Sequence, residues 1–504
     1  MGSLQPDAVQ GQQSPVDPAG YLMIEAEVMP APFQSNAPLA APVEAHQERP
    51  DRSIPAFLAS HQGQNLIGGI AITLTVILTF LIRPYSIGLY FYYFALWGAF
   101  IYFAHRKVFR DFATAYFLNS LAIAVFFLIQ TQVYPESYGT TSPLGSWTDD
   151  SFFFALAADE VPSTLELRDS YYLYSQTFSS IVRWLTLPPT SHPMDLIFFQ
   201  SGIAALLATF TKRFMWQMSA DRKLANTVYV LAVTCPFLMM NGGVIFIRDT
   251  LVAALLIYTL ACLFDRRFIL AAIAVGLEIL IRPGTGVILL PAIAIIYLSG
   301  GKKLLSKGNL AVAALCMPIA AFALVRISAL RELLPGGDAI AQLSLTGREV
   351  WTDLRADAGS NAIFLALQEQ TFLVKFILNG AYMFAYPFLN LTGSFATPYF
   401  DVRTVVMGLV VPIYAFWLNA WFIAGALTRV KAMDRQRQVI YAFAITLLIL
   451  GTYSLQTRHK TIVYPLYFLV IAVGMIRAKP TERQIGYFAS FVLVAIQVLV
   501  TAVL

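Results

Sequence analysis

Residues 241–291 read NGGVIFIRDTLVAALLIYTLACLFDRRFILAAIAVGLEILIRPGTGVILLP, and this stretch predicts the fold of the chain. Two apolar runs, 249–264 and 268–281, are separated only by the charged turn 265–267, and a third run follows at 286–299. These runs lack the polar stripe that a helix facing water requires. Each run therefore predicts an α-helix surrounded by lipid or by other helices, with tight polar turns between them.

The same pattern of apolar runs and short charged turns recurs along most of the chain. With 504 residues, 58% of them hydrophobic and 12% charged, the composition excludes a water-soluble globular enzyme, in which about a quarter of the residues carry charge. We predict an all-α, polytopic transmembrane helix bundle of about 13 spans, because only helices satisfy their own backbone hydrogen bonds in lipid. The predicted spans are 66–82, 85–104, 112–133, 194–211, 224–240, 249–264, 268–281, 286–299, 309–326, 404–427, 438–456, 461–476 and 485–503.

The chain divides into a polar tail and a membrane domain. Residues 1–60 are rich in Pro, Gln, Ala and Glu without a sustained apolar period, which predicts a disordered cytoplasmic N-terminal tail rather than a secretory signal. Residues 61–504 form the predicted transmembrane domain, with long outer loops at 134–193 and 327–403. Gly and Pro interrupt the apolar segment 372–391, which favours an interfacial or re-entrant segment, the alternative being a pair of short helices.

The turns between the predicted spans alternate in charge. Lys and Arg collect in every second turn, for example 105–111, 212–223 and 429–437, whereas most acidic residues fall in the loops between those turns. Basic residues in short loops mark the cytoplasmic side of a membrane protein. The pattern predicts a multi-pass protein of the cell inner membrane with a cytoplasmic N-terminus. The net charge of +5 is then explained by basic residues in the cytoplasmic turns and does not indicate a nucleic-acid partner.

The first long outer loop, 134–193, mixes carboxylates with aromatic side chains. Aromatic rings stack on the C–H face of a pyranose and carboxylates accept hydrogen bonds from its hydroxyls, so this mixture indicates a sugar-binding surface. The alternative is an aromatic belt at the membrane interface, with acids that only solvate the loop. The candidate residues in this loop are Asp149, Asp150, Glu160, Asp169 and Tyr172.

Cations recur at the predicted outer rim of the membrane, where charge is costly and is usually kept for a function. An arginine guanidinium can donate two hydrogen bonds to phosphate oxygens at once. Several arginines at the same depth in the membrane therefore favour an anionic lipid phosphate as ligand. Each arginine alone is equally well explained by snorkelling to lipid headgroups. The candidate phosphate-binding residues and their immediate neighbours are Arg248, Asp249, Arg282, Arg458, His459 and Lys460.

Other chemistry has weak support in the sequence. The three cysteines all fall inside apolar runs, and no phosphate-binding glycine loop or histidine cluster with metal spacing is present, so we assign no metal site or ATP-driven activity. Asp149 and Asp150 would suit a divalent cation only with further ligands, so no cofactor is certain. Glu278 lies inside an apolar run, which indicates either a proton relay or a carboxylate paired with a nearby arginine.

Three stretches resemble membrane polysaccharide polymerases of the Wzy type and their relatives in the GT-C glycosyltransferase superfamily. In residues 241–291, Arg248-Asp249 opens an outer helix and Arg282-Pro283 follows two helices later; SWTDDSFFF at 146–154 and TRHKTIVYP at 457–465 match two further features. The resemblance in the order of spans, loops and motifs covers roughly residues 112–480. The chain departs from the family in three ways: an arginine replaces the commoner lysine at 248, two extra spans precede the acidic loop, and the N-terminal tail has no counterpart.

The resemblance implies a GT-C-like enzyme that uses a sugar or glycan carried on a polyprenyl phosphate or diphosphate. Asp149 or Asp150 would act as the general base on an acceptor hydroxyl, and Arg248, Arg282 and Arg458 would stabilise the departing phosphate. A single base and a stabilised leaving group predict inversion at the anomeric carbon. The reserve candidates for the base are Asp169 and Glu160.

We therefore expect a glycosyltransferase of extracellular polysaccharide assembly, namely the polymerase of lipid-linked repeat units. One alternative is a GT-C enzyme that adds a single sugar from a polyprenyl-phosphate donor to lipid or protein. A transporter or flippase of lipid-linked glycans is a different class, disfavoured because the ionisable residues crowd one rim and no internal repeat is found. The expected partners are polyprenyl-linked glycans, membrane lipids and other polysaccharide-assembly proteins.

Overall fold

The computed structural model describes most of the membrane domain. The described residues are 60–133, 193–244, 248–265, 267–282, 372–385, 405–428, 434–453 and 457–503, together with Val182, Leu185, Ile293, Ile295, Ile296 and Pro387. All regular secondary structure among them is helical, as predicted. The predicted N-terminal tail, most of both long outer loops and most of the predicted spans 286–299 and 309–326 lie outside the described residues.

The predicted spans that fall mainly on described residues are all helical. In chain order the main helices are α1 (His61–Ile82), α2 (Ser86–His105), α3 (Phe109–Val133), α4 (Pro193–Ser219), α5 (Arg222–Thr234), α6 (Asp249–Phe264), α7 (Phe268–Ile281), α8 (Phe372–Ala385), α9 (Val411–Leu427), α10 (Asp434–Tyr453), α11 (Tyr464–Arg477) and α12 (Pro480–Val503). The total of about 13 spans stays a prediction.

Local sequence explains where several helices begin and break. Ser60 caps α1 by accepting a hydrogen bond from the Gly63 amide at 3.0 Å, which satisfies one free donor of the first turn. The chain bends by 52° between α5 and the one-turn helix Pro236–Met239, because proline removes a backbone donor and clashes with the preceding turn. A π-helix, Met240–Val244, follows and leads toward α6.

The segment 372–391 forms a single helix, α8, over its described part rather than a pair of short helices. The helix ends at Ala385, two residues before Pro387, as expected because the residue before a proline disfavours helical dihedrals. Helix α8 packs against α10. That this segment is interfacial or re-entrant stays a prediction.

The bundle is apolar on the outside as well as in its centre. Helices α4 and α11 form the core, and the residues of α11 from Tyr464 to Gly474 are all buried. Peripheral helices instead expose large apolar side chains, among them Phe80 on α1, Ile269 on α7 and Phe488 on α12. Contiguous exposed apolar surface suits lipid rather than water. Four described helices are long and apolar enough to cross a membrane, or five if the bent pair at Pro236 is one span.

Polar contacts gather at the two ends of the bundle. We call the end that contains Arg83, Asp249 and Arg282 the outer end, and the end that contains Asp111, Asp221 and Asp265 the inner end, after the predicted topology. Each of the following ion pairs joins two turns that were predicted on the same side. The inner pairs are Lys212–Asp111, Arg213–Asp265 and Arg477–Asp221, and the outer pairs are Arg83–Asp195 and Arg282–Asp249.

Candidate functional site

The start of α6 and the end of α7 bring two oppositely charged residues into contact. Asp249, in the first turn of α6, forms an ion pair with Arg282, the residue that follows α7. Asp249 is 1% exposed and Arg282 is 9% exposed. Helix α7 packs against α6, which explains why residues 33 positions apart in sequence meet at one end of the bundle.

His459 completes the contact from a distant part of the chain. It lies on the 3-10 helix Thr457–Ile462, which packs against α6, and its Nε2 atom contacts the Arg282 guanidinium. The Arg282 guanidinium therefore touches both Asp249 and His459. Arg282 and His459 are separated by 177 residues in sequence, and the structure brings these two predicted site residues together.

Arg248 is joined to the same group through the backbone. Its guanidinium donates a hydrogen bond to the Ile281 carbonyl at 3.1 Å, one of the carbonyls left free at the end of α7. A cation at a helix C-terminus is favoured by the helix dipole. Arg248 thus fixes the end of α7 directly beside Arg282.

Lys460 points to a different part of the bundle from its neighbour His459. Its ammonium donates to the Phe384 carbonyl near the end of α8 at 2.9 Å and lies 5.8–6.0 Å from the ring centres of Phe384, Tyr464 and Tyr467. This aromatic cage suits a buried cation. Lys460 therefore ties α8 to α11, whereas His459 reaches Arg282. The backbone of Arg458 lies in the same 3-10 helix.

The Arg282 group is recessed from the outer surface of the bundle. At the inner end α4 and α6 finish side by side, since the rings of Phe214 and Phe264 are 5.5 Å apart and the Gln217 amide donates to the Ala261 carbonyl at 3.3 Å. Helix α4 has 27 residues and α6 has 16, so at 1.5 Å per residue α4 extends about 16 Å beyond the start of α6. A ligand of Arg282 would have to enter the depth of the apolar layer.

Buried polar atoms without a hydrogen-bond partner among the described residues lie on the elements around this group. They are Nδ2 of Asn241 on the π-helix, Oγ1 of Thr461 on the 3-10 helix and Oε1 of Glu278, one helical turn before Arg282. Burying such atoms unpaired costs about 1–3 kcal/mol each. They are the groups that a bound ligand or an ordered water would satisfy.

Sequence reasoning did not single out Asn241 or Thr461. Neither has a distinctive motif, and the only signal was that Asn241 precedes two glycines next to the Arg248 turn. The predicted pairing of Glu278 with an arginine is wrong for the described residues, because Asp249 forms the ion pair with Arg282 and Oε1 of Glu278 has no hydrogen-bond partner. The packing of α7 against α6 places Asp249, and not Glu278, in contact with Arg282.

The predicted outer-loop residues fall on a part of the chain that the structure does not describe. Asp149, Asp150, Glu160, Asp169 and Tyr172 all lie outside the described residues. Among the residues that the structure does describe, no three His, Cys, Asp or Glu side chains are grouped closely enough to hold a metal ion.

No family model, no curated protein and no solved structure matches this chain. The likeness to Wzy-type and GT-C proteins therefore stays a prediction that rests on the three sequence stretches quoted above.

Proposed function

We propose that the chain is an integral membrane glycosyltransferase of extracellular polysaccharide assembly, which polymerises repeat units carried on polyprenyl phosphate or diphosphate. The proposal places the protein in the cell inner membrane, with the N-terminus in the cytoplasm and the reaction on the outer face. One observation carries it: Arg282 is a nearly buried guanidinium at the end of a helix whose opposite face is apolar and exposed.

The two faces of α7 suit a ligand with an anionic head and a hydrocarbon tail. Ile269, Ile273 and Leu277 follow one another at every fourth residue on its exposed face, where lipid chains pack favourably. Ala274, Glu278 and Arg282 follow on the buried face. A lipid phosphate that moves alongside α7 would meet Arg282 without leaving the apolar layer.

The charges around Arg282 favour phosphate over a neutral head group. Arg248 and Arg282 provide two guanidinium groups on adjacent helix ends. Arg is suited to phosphate because its donors match two oxygens at once. In the proposed reaction these arginines, with Arg458, stabilise the negative charge that develops on the leaving phosphate.

The acceptor hydroxyl loses its proton to a carboxylate of the outer loop in this proposal. Asp149 or Asp150 is the proposed base, with Asp169 and Glu160 in reserve and Tyr172 as a stacking surface for the sugar. Attack from the face opposite the phosphate inverts the anomeric carbon without a covalent intermediate. The partners in this proposal are the polyprenyl-linked donor and acceptor, surrounding lipid and other polysaccharide-assembly proteins.

The test supplies purified protein in nanodiscs with a polyprenyl-diphosphate-linked oligosaccharide and separates the products on a gel. A ladder of products supports the polymerase, whereas a single added sugar supports the alternative GT-C enzyme. Transport of the same lipid-linked oligosaccharide across the bilayer of proteoliposomes, without any new glycosidic bond, would establish the flippase alternative and overturn the proposed reaction.

Arginine variants connect that activity to the site. We expect Arg282→Gln to abolish retention of undecaprenyl phosphate and product formation, and Asp149→Asn with Asp150→Asn to abolish product formation alone. Arg477→Gln is the matched control, because it breaks an arginine ion pair at the opposite end of the bundle. Undiminished product from Arg282→Gln would contradict the assignment of the site.

A further inference from the structure

A second polar cluster lies at the outer end of the bundle, where α1 ends and where α2 and α4 begin. Asp195, in the first turn of α4, is fully buried. The Ser86 hydroxyl donates a hydrogen bond to its Oδ1, and the Arg83 guanidinium lies 3.4 Å from its Oδ2. These residues have no role in the phosphate site described above.

Tyr93 adds a phenol to this cluster. Its ring packs edge-on against Phe199, one helical turn after Asp195, with ring centres 5.6 Å apart. Tyr93 is also close enough to Asp195 for the two groups to interact electrostatically. Tyr93 itself is fully buried.

Three polar atoms of the cluster lack a hydrogen-bond partner among the described residues. They are Oδ2 of Asp195, the hydroxyl of Tyr93 and Nε of Arg83. Buried polar groups are ordinarily satisfied by protein, water or ligand. Asp195 connects the other two residues, through its ion pair with Arg83 and its electrostatic interaction with Tyr93, so these atoms point to a bound polar group. The Arg83 side chain is 28% exposed, which leaves the cluster open on one side.

The chemistry of these atoms selects the ligand class. The negative charge of Asp195 disfavours an anionic ligand, and the positive charge of Arg83 disfavours a metal ion. A ligand hydroxyl, by contrast, can donate a hydrogen bond to a carboxylate oxygen and accept one from a guanidinium at the same time. Arg83 also lies 5.8 Å from the ring centre of the exposed Tyr85. Such a ring offers an apolar face to the C–H groups of a sugar.

We propose that Arg83, Tyr93 and Asp195 bind the hydroxyl groups of a neutral sugar, the acceptor glycan of the proposed transferase. This inference rests on the proposed function and adds a second subsite to it. By the helix register described above, Asp195 lies about 14 Å further toward the outer surface than Asp249. The acceptor would then enter from the outer surface, above the recessed lipid phosphate.

The experiment screens full-length protein in nanodiscs on a microarray of neutral and acidic glycans. The deciding variant is Tyr93→Phe, because it removes a hydroxyl that bonds to no described protein group and so leaves the packing intact. We expect wild-type protein to retain neutral glycans, and Tyr93→Phe and Asp195→Asn to reduce that retention at least tenfold. The matched control is Tyr229→Phe at the inner end, where the phenol donates to the Asp111 carbonyl; it should lower the melting temperature without changing glycan retention.

The failure of this subsite and the failure of the proposed function are distinguishable. Retention of undecaprenyl phosphate is measured in the same preparations, and neutral-glycan retention that falls in Tyr93→Phe supports the subsite whether or not the lipid binds. If wild-type protein retains no neutral glycan, or if Tyr93→Phe retains as much as wild type, the subsite is overturned. Should Asp195→Asn fail to fold, Tyr93→Phe still decides.

Discussion

At the scale of the residue, Arg282 shows how an apolar chain keeps a charge. Its guanidinium contacts Asp249 and His459 at the ends of short helices, where water is largely excluded. A buried ion pair adds little net stability over well-packed apolar groups, because both charges lose their hydration. Removing only one partner is far worse, since it leaves the other charge buried and unpaired.

This asymmetry predicts the behaviour of single and double variants of the pair. Asp249→Ala should lower the free energy of unfolding by about 3–5 kcal/mol, measured by chemical unfolding in detergent. The double variant Asp249→Leu with Arg282→Met should recover most of that loss while retaining no undecaprenyl phosphate. A single variant that costs less than about 1 kcal/mol would show that the pair is hydrated.

Asp221, in the inner turn before α5, allows a prediction about pH. Burial raises the pKa of Asp221, but hydrogen bonds from Arg477 and from the amides of Leu224 and Lys223 outweigh burial and hold the pKa below its ordinary value. A carboxyl with a lowered folded-state pKa stabilises the fold above its unfolded pKa of about 3.9 and loses that contribution as pH falls through the folded value.

Arg477→Gln should therefore destabilise the protein at pH 7, and the difference from wild type should shrink as pH falls below about 3.9 toward the lowered folded-state pKa of Asp221. The pair is partly exposed and screened by solvent, so we expect a difference below about 1 kcal/mol at pH 7. Melting temperatures of both proteins across this pH range measure it. A gap that stays constant down to pH 3 would assign the effect of Arg477 to packing.

At the scale of the element, glycines set how closely three helices approach. Any Cβ placed on Gly425 of α9 would meet the backbone of α11 at Val470, and one on Gly474 of α11 would meet the backbone of α9 at Trp421. Gly486 of α12 faces the α9 backbone at Ala420 in the same way. Small residues allow this approach, which is the usual source of helix association in membranes.

Gly474→Ala should therefore separate α9 from α11 and reduce the yield of folded protein several-fold. The control is Gly276→Ala on α7, where a Cβ meets no atom of the described residues within 4 Å; alanine there should stabilise the helix by up to about 1 kcal/mol. Size-exclusion profiles and melting temperatures of the two variants measure the difference. Equal behaviour of the two variants would mean that α9 and α11 are not in close contact.

At the scale of the whole molecule, polar groups are divided between two ends of an apolar bundle. The inner-end pairs, such as Lys212–Asp111, connect turns from distant parts of the chain that charge patterning had assigned to the cytoplasm. The outer-end pairs connect turns that were assigned to the opposite side. Each of these ion pairs thus joins turns that the sequence assigns to one side, and the orientation in the membrane stays a prediction.

Labelling of single cysteines tests this orientation in cells. Lys223→Cys, exposed at the inner end, should react with a membrane-impermeant thiol reagent only after permeabilisation, whereas Tyr85→Cys, exposed at the outer end, should react in intact cells. The native Cys235 and Cys262 are buried and should give little background. The reverse pattern would invert the topology and move the proposed site to the cytoplasmic face.

The sequence by itself determined the helical class and the approximate bounds of the described helices. It also placed Arg248, Asp249 and Arg282 at the same end of the bundle. Both results depend on hydrophobic periodicity and charge placement, which are local properties of the chain. Only the tertiary structure decided that His459 contacts Arg282, that Lys460 instead holds the end of α8, and that Glu278 is left without Arg282 as a partner. These outcomes depend on which helices pack side by side and in what register. Packing joins residues far apart in the chain, and no local pattern records it.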